Sequence, residues 1–482
     1  MPRGSPGNGA ANAAGDAAAG VAMAGSRAPW AACCLSGLGP PGDDEPRLYR
    51  AGVVHPVVGP PVADGAVVTR GGRVVAVGPA AALRAEWPAA RPVIERPRAL
   101  LLPGLVNAHC HLALTFLQGA LAPTEDFAAW IRDLVRARRG LDEESRRGSV
   151  LAGLREVLRG GCTALGDIAS SIEDADALTD AAPPLRVRSY REFYGWAAAD
   201  RKRSLAAARE EAEARREPAP GAPAPGLSPH APYSTHPDLF AELVKLAVTR
   251  GLPLSSHLAE TADETIFTSR GGGPFRALHR RLGWEKAPSP WGGERSPAAW
   301  IAGRARGLAV QVVHGTHLGD EDIRDLARVG ATVAYCPGSV AWFHGGADPH
   351  PVERMLAAGV PVALGTDSLA SSPTLNLPLT CTLAARAHPG LEPEILLEMA
   401  TRHGARSLDL PGAGALAPGG PADFVLFELP ELEWRAPRGE ADAHRLARDA
   451  VAAALTSGYR AAGLTVVAGA AYSFAALDPF PA

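Results

Sequence analysis

Residues 101–111 read Leu-Leu-Pro-Gly-Leu-Val-Asn-Ala-His-Cys-His, an apolar run that ends on two histidines one residue apart. If Leu101 to Val106 form a strand, its two-residue period puts His109 and His111 on the same side, two imidazoles aimed at one point, and turns Cys110 away from them. That is a metal-site geometry, although an isolated HxH is commonly two ordinary histidines. Its weight comes from the rest of the chain, where other histidines and an aspartate also end apolar, strand-like runs.

Seven further runs of this kind follow: TALGDIAS, LRVRSYREFYG, APGLSPHAPYS, LPLSSHLAE, AVQVVHGTHL, ATVAYCPGS and VPVALGTDS. Helical segments fill the gaps, among them Glu143 to Arg159, Ser204 to Arg216, Pro237 to Arg250, Asp320 to Val329 and Pro351 to Ala358. Strand and helix in alternation mark a parallel α/β fold, and eight such units predict a (β/α)8 barrel of the TIM type over residues 100–411. In that fold the catalytic groups gather at the C-terminal ends of the strands, where the polar candidates lie. Residues 270–300, rich in Gly, Pro and Trp, read as an inserted loop over the barrel mouth.

Short β-like pieces with turns precede the barrel, and Gly71-Gly72 between two valine-rich runs reads as a hairpin turn. Similar pieces return in PADFVLFELP and GLTVVAGAAYS. A small β-sandwich domain built from residues 47–99 and 412–475 is therefore expected. Residues 1–46, rich in Ala, Gly and Pro, read as a disordered extension rather than a signal peptide, because Asp16 precedes a core that is mostly alanine.

Size and composition agree with this outline. A chain of 482 residues admits one large domain with appendages or two to three ordinary ones. A hydrophobic content of 46% and a charged content of 21% describe a soluble globular protein. A formal charge of −3 implies neither nucleic acid nor an anionic membrane as partner. No apolar run reaches membrane-helix length. The six cysteines form no CxxC pair, so a reducing cytoplasm is the expected compartment. A small-molecule substrate is expected, with self-association into a homo-oligomer left open.

The strand ends carry the chemistry. The fifth ends with His257, followed three residues later by Glu260; the sixth ends with His314 and the eighth with Asp367. Imidazoles with one carboxylate suit Zn²⁺ or Fe²⁺ with room for a water molecule, which the ion would turn into a nucleophile. The HxE and PCxxC signature of the zinc-dependent nucleobase deaminases is absent.

The runs PGLVNAHCHL, HLAE, VVHGTHL and LGTDSLAS, in that order, resemble the metal-dependent amidohydrolase superfamily, specifically its cytosine-deaminase-like and S-adenosylhomocysteine-deaminase-like branch. The likeness covers about residues 48–475. It implies that His109, His111, His257 and Asp367 hold one metal ion. It also implies that Glu260 shuttles protons, that His314 hydrogen-bonds the attacking water, and that His230 contacts substrate. Asp367, beside the ion, would take the water's proton. Binuclear members hold a second ion with a carboxylated lysine at a strand end; lysine occurs only at 202, 245 and 286, none at such an end, so one ion is expected. FAAWIRDLVRARRGLD and the GGGPF insert most resemble deaminases of aminodeoxyfutalosine.

The implied activity is hydrolytic deamination of an aminated purine nucleoside or related heterocycle. A hydrolase of another C–N or C–Cl bond is the alternative, and a non-catalytic binding protein would have no need of Glu260. Structural roles are expected for His236, His279, His317, His403, Cys110 and Asp167. Glu192 is expected to reach substrate or to pair with Arg191 or another arginine. Gly338 stands where relatives typically carry arginine or asparagine.

Overall fold

The computed structural model describes residues 45–139, 141–214, 223–285 and 291–473. The extension expected at residues 1–46 lies outside these apart from its last two residues, as do Lys286 and the end of the helix expected at Ser204 to Arg216.

Eight parallel strands form one sheet in strict chain order. They are Leu105–Cys110, Cys162–Ala169, Arg186–Phe193, Gly226–Pro229, Leu254–Leu258, Val310–His314, Thr332–Tyr335 and Val362–Leu364. Most positions along them are buried, as sheets covered on both faces require. The first and last strands meet through the Cys110–Asp367 bridge, where the N–H groups of Thr366 and Asp367 both donate to the carbonyl of His109 at 3.0 Å. The (β/α)8 barrel is thus closed beside His109.

Local chemistry explains the helices between the strands. Asp142 caps Glu143–Arg159 by accepting the N–H of Ser145 at 2.8 Å. His236 caps Pro237–Arg250, which starts on proline and stops at the left-handed Gly251. The helix expected from Ser204 starts earlier, as Ala198–Ala214, since no residue between 198 and 204 breaks it.

The expected loop at 270–300 is largely helical instead, with helices Gly273–Arg281 and Pro297–Arg304. Its glycines and prolines punctuate helices: Gly271 ends the preceding helix in the left-handed region, and Pro274 and Pro297 lie in the first turns of the two that follow. Phe275 packs on Tyr233 with ring centroids 4.2 Å apart, within the aromatic cluster that roofs the site. Trp291 and Trp300 instead join Phe240 on the barrel flank.

The chain ends complete one seven-stranded mixed sheet that includes Arg47–Val54, Arg91–Pro103 and Phe424–Glu428. Gly71 and Gly72, both at positive φ, turn the hairpin between paired Arg70 and Arg73. Alternation along Arg91–Pro103 ties this sheet to the barrel: Ala99 and Leu101 enter the sheet's own core with Tyr49 and Phe424, while Leu100 and Leu102 enter the barrel core.

Candidate metal centre

The barrel brings the predicted strand-end groups to one place. His109 and His111 leave the first strand on the same side, and Nε2 of each lies 3.6 Å from Asp367 Oδ1. His257, on the fifth strand, completes the cluster, with ring centroids 5.1 Å from His109 and 5.5 Å from His111. One donor atom each from His109, His257 and His314 lie within 4.8 Å of one another, and the same holds for His109, His111 and Asp367. His314 is thus close enough to join the cluster, but its Nε2 also stands 3.4 Å from Glu260 Oε1.

His257 and Asp367 are held by partners that leave one donor atom of each free. His257 donates its Nδ1–H to the carbonyl of His230 at 3.0 Å, which leaves Nε2 with a lone pair. Asp367 Oδ2 accepts the hydroxyls of Ser339 and Ser371, so Oδ1 faces the histidines. Asn107 sews the first and eighth strands together, donating to Thr366 Oγ1 at 2.8 Å and accepting the N–H of Thr366 at 3.2 Å. His314, Asp367 and Ala259 all adopt positive φ, a strained conformation that persists only where the surroundings impose it.

Burial sets the protonation of the cluster. Desolvation, with the fields of His230 and His109, pushes His257 down to about 3. Desolvation, with His109, holds His111 well below the usual imidazole range, and burial does the same to His314. Neutral imidazoles keep the lone pairs that a cation requires. Burial, then Asp367 and Glu264, raises Glu260 well above the usual carboxylate range.

The donor set fits a divalent cation. Among the described residues, both ring nitrogens of His109 and Nδ1 of His111 and His314 are buried without a hydrogen-bond partner. Leaving such a group unsatisfied costs about 1–3 kcal/mol, and a cation among these atoms removes part of that cost. Three imidazoles and a carboxylate supply the nitrogen and oxygen donors that a divalent cation such as Zn²⁺ would take.

Above the cluster opens a small cavity of about 50 Å³. Leu114, Phe127, Trp130, Ile131 and Leu134 form its apolar wall; His230, Tyr233, Glu260 and Ser368 add polar groups. Phe127 and Trp130 are anchored by Phe343, with centroids 4.8 and 4.9 Å away.

A family model described as the amidohydrolase family matches residues 100–460. The chain belongs to the amidohydrolase family. It is accordingly a metal-dependent hydrolase acting on carbon–nitrogen bonds. A 5-methylthioadenosine/S-adenosylhomocysteine deaminase of Nitratidesulfovibrio vulgaris is 34% identical over 384 residues, 76% of this chain and 80% of the relative. An aminodeoxyfutalosine deaminase of Deinococcus radiodurans is 34% identical over 375 residues, covering 75% and 85%. The aminofutalosine deaminase of Helicobacter pylori, solved with methylthio-coformycin, superimposes with a TM-score of 0.76 over 88% of this chain and 99% of that one at 20% identity, a likeness of fold. Residues 65–90 also match a model for a bacterial imidazolonepropionase-like composite domain.

The residues expected to be structural are so placed in this amidohydrolase. His279 donates from Nε2 to the carbonyl of Tyr233 at 2.7 Å, His403 from Nδ1 to that of Val362 at 3.0 Å, and His317 pairs with His344. Asp167 Oδ1 accepts the N–H of Leu112 at 2.9 Å, and the Cys110 thiol lies against it, buried. Gly338 has a packing reason, because a Cβ there would stand 2.4 Å from Ser372 Oγ. Glu192 differs from expectation in its arginine: Arg191 pairs with Glu211, and Glu192 turns toward His230, its Oε1 3.7 Å from Nε2. Asn107, Ser339, Ser371 and Glu264 were not singled out by the sequence. Their side chains act on backbone groups or on another side chain, and no motif spacing marks them.

Proposed function

We propose that this enzyme is a mononuclear, zinc-dependent aminohydrolase that deaminates an aminated purine nucleoside of the adenosine, S-adenosylhomocysteine or aminodeoxyfutalosine type. The observation that carries the reading is Glu260, a buried carboxyl 3.4 Å from His314 at the floor of an apolar-walled cavity, beside four groups able to hold a cation. The names of the two relatives agree with it.

In this reading His109, His111, His257 and Asp367 hold the ion, with Zn²⁺ fitting the donor set and Fe²⁺ the alternative. Lys202 and Lys245 lie on the helices between the strands and not at a strand end, which supports a single ion. When bound, the ion supplies the Lewis acidity that lets a water molecule lose a proton near neutral pH. Asp367 Oδ1, its partner oxygen fixed by two serines, takes that proton. His314 hydrogen-bonds the water and directs it at the aminated carbon. As the water oxygen bonds to that carbon, protonated Glu260 gives its proton to the adjacent ring nitrogen; the proton held by Asp367 passes to the exocyclic amine, the carbon–nitrogen bond breaks, ammonia leaves, and the remaining hydroxyl proton returns to Glu260 as the carbonyl forms. His230 contacts the bound substrate from the cavity wall.

No helix among the described residues is long and apolar enough to cross a membrane. A reducing cytoplasm suits a chain whose four described cysteines are all free and buried. The test is ammonia release on adenosine, 5′-methylthioadenosine, S-adenosylhomocysteine and aminodeoxyfutalosine, together with metal analysis. Ammonia with one equivalent of zinc is the expected result. Chloride or a ring-opened product without ammonia, from a triazine or cyclic amide panel, would overturn the deaminase reading.

A further inference from the structure

One buried acidic group beside the cavity has no role in the chemistry above. Glu192 is the last residue but one of the third barrel strand, and only 6% of the residue is exposed. Its Oε1 has no hydrogen-bond partner among the described residues. The arginine next to it in sequence is committed elsewhere, bidentate to Glu211 at 2.8 and 3.1 Å. The cavity-lining ring of His230 faces it, with Nε2 at 3.7 Å, beyond hydrogen-bond range. A buried acceptor left in this state is costly, and such groups call for an explanation.

A second metal ion does not supply one. Glu192, His230 and His257 each offer an atom within 4.8 Å of the others. However, His257 has given Nδ1–H to the carbonyl of His230, and its remaining nitrogen belongs with His109 and His111.

We propose that Glu192 is a specificity-determining residue whose carboxylate accepts a hydrogen bond from a sugar hydroxyl of the nucleoside substrate. This rests on the deaminase reading, and the chemistry of that substrate narrows the choice. The ring nitrogens N1, N3 and N7 of an adenine nucleoside are acceptors and offer nothing to a carboxylate. Its donors are the exocyclic amine, which departs at the metal centre, and the hydroxyls of the sugar. The position agrees. The reacting end of the base lies by Glu260, His314 and Asp367, on the fifth, sixth and eighth strands. Glu192 and His230 stand on the third and fourth, where a base seated with its glycosidic nitrogen toward His230 would bring the sugar. A substrate hydroxyl entering beside His230 gives Oε1 the donor it lacks.

The test compares adenosine with 2′,3′-dideoxyadenosine for the wild-type enzyme and Glu192→Gln, which keeps side-chain size. Losing a hydrogen bond to a charged group is expected to lower kcat/KM for adenosine roughly 10- to 100-fold. Dideoxyadenosine, which never made the bond, should change by less than about threefold. Equal losses on both substrates would overturn the assignment. So would a fall in zinc content of the variant, which would make Glu192 a metal ligand. Thermal-shift binding of the same two nucleosides separates this inference from the deaminase reading. If the wild type releases no ammonia yet is stabilised more by adenosine than by dideoxyadenosine, and Glu192→Gln abolishes that difference, the hydroxyl contact stands while the reaction is reassigned. If the two nucleosides stabilise the wild type equally, the contact is refuted.

Discussion

Both carboxylate oxygens of Glu264 are taken up by the backbone that presents Glu260: Oε1 accepts the N–H of Ala259 at 2.8 Å and Oε2 the N–H of Glu260 itself at 3.2 Å. Ala259 sits at φ 53°, a left-handed turn that a side chain resists. Glu264, buried on the following helix Ala262–Arg270, is therefore a positioning residue that holds the turn closed. Glu264→Ala is expected to lower kcat roughly 10²-fold, the scale of a displaced catalytic group, with zinc content unchanged. Unchanged kcat at a temperature where the variant is folded would show that the clamp only stabilises the chain.

Glu260 itself should separate metal binding from turnover. Glu260→Gln keeps the volume and loses the ability to carry a proton, so turnover should fall roughly 10²- to 10⁴-fold. Elemental analysis of the purified variant should still find one equivalent of zinc. A fully active variant would remove Glu260 from the proton path.

His257→Ala should do the reverse and empty the centre. It removes one of three imidazoles and also the ring that Nδ1 anchors to the carbonyl of His230. Metal content should fall well below one equivalent after dialysis, and added zinc should raise the Tm of the wild type more than that of the variant. Equal zinc retention in both proteins would show that the ion is held by other residues.

Much of this site was legible because barrel geometry converts a one-dimensional signal into position. His109, His111, His257, His314 and Asp367 each follow an apolar run, and in a parallel barrel every run ends at the same rim. The supports were not legible. Ser339 and Ser371 reach Asp367 from a helix and a loop whose approach depends on the closed sheet, and Asn107 is one more polar residue in a buried strand. The 270–300 segment was misread because Gly and Pro mark the ends of helices as well as loops; which applies depends on whether Phe275 finds Tyr233.

Packing around His109 leaves no room for added atoms. A Cβ on Gly365 would stand 2.9 Å from Cys336 Sγ, 3.0 Å from His109 Cβ and 3.1 Å from His109 O. Gly365→Ala should therefore cost about 1–3 kcal/mol and displace His109, weakening zinc retention. Gly148→Ala is the control, since nothing lies within 4 Å of its Cβ inside helix Glu143–Arg159. It should gain up to about 1 kcal/mol in urea unfolding. Equal stability of both variants and full zinc in Gly365→Ala would contradict the packing account.

Behind the seventh strand, His388 and Asp348 form a buried pair that should make stability depend on pH, with Nε2 3.5 Å from Oδ1. Burial alone would lower His388, but Asp348 and Glu353 raise it above its ordinary 6.5. Burial alone would raise Asp348, but His388, the Tyr335 hydroxyl and the N–H of His350 hold it below its ordinary 3.8. The raised histidine contributes fully below its unfolded value and loses that contribution as pH rises through its folded value. The depressed aspartate contributes fully above its unfolded value and loses it as pH falls through its folded one. The pair is thus at full strength between 3.8 and 6.5. His388→Asn should be less stable than wild type by about 1–3 kcal/mol near pH 5.5, and the gap should narrow near pH 9 as the wild-type imidazole loses its charge. Urea titrations at the two pH values measure it; a gap that stays constant or widens at the higher pH would mean that His388 acts through packing and not through its charge.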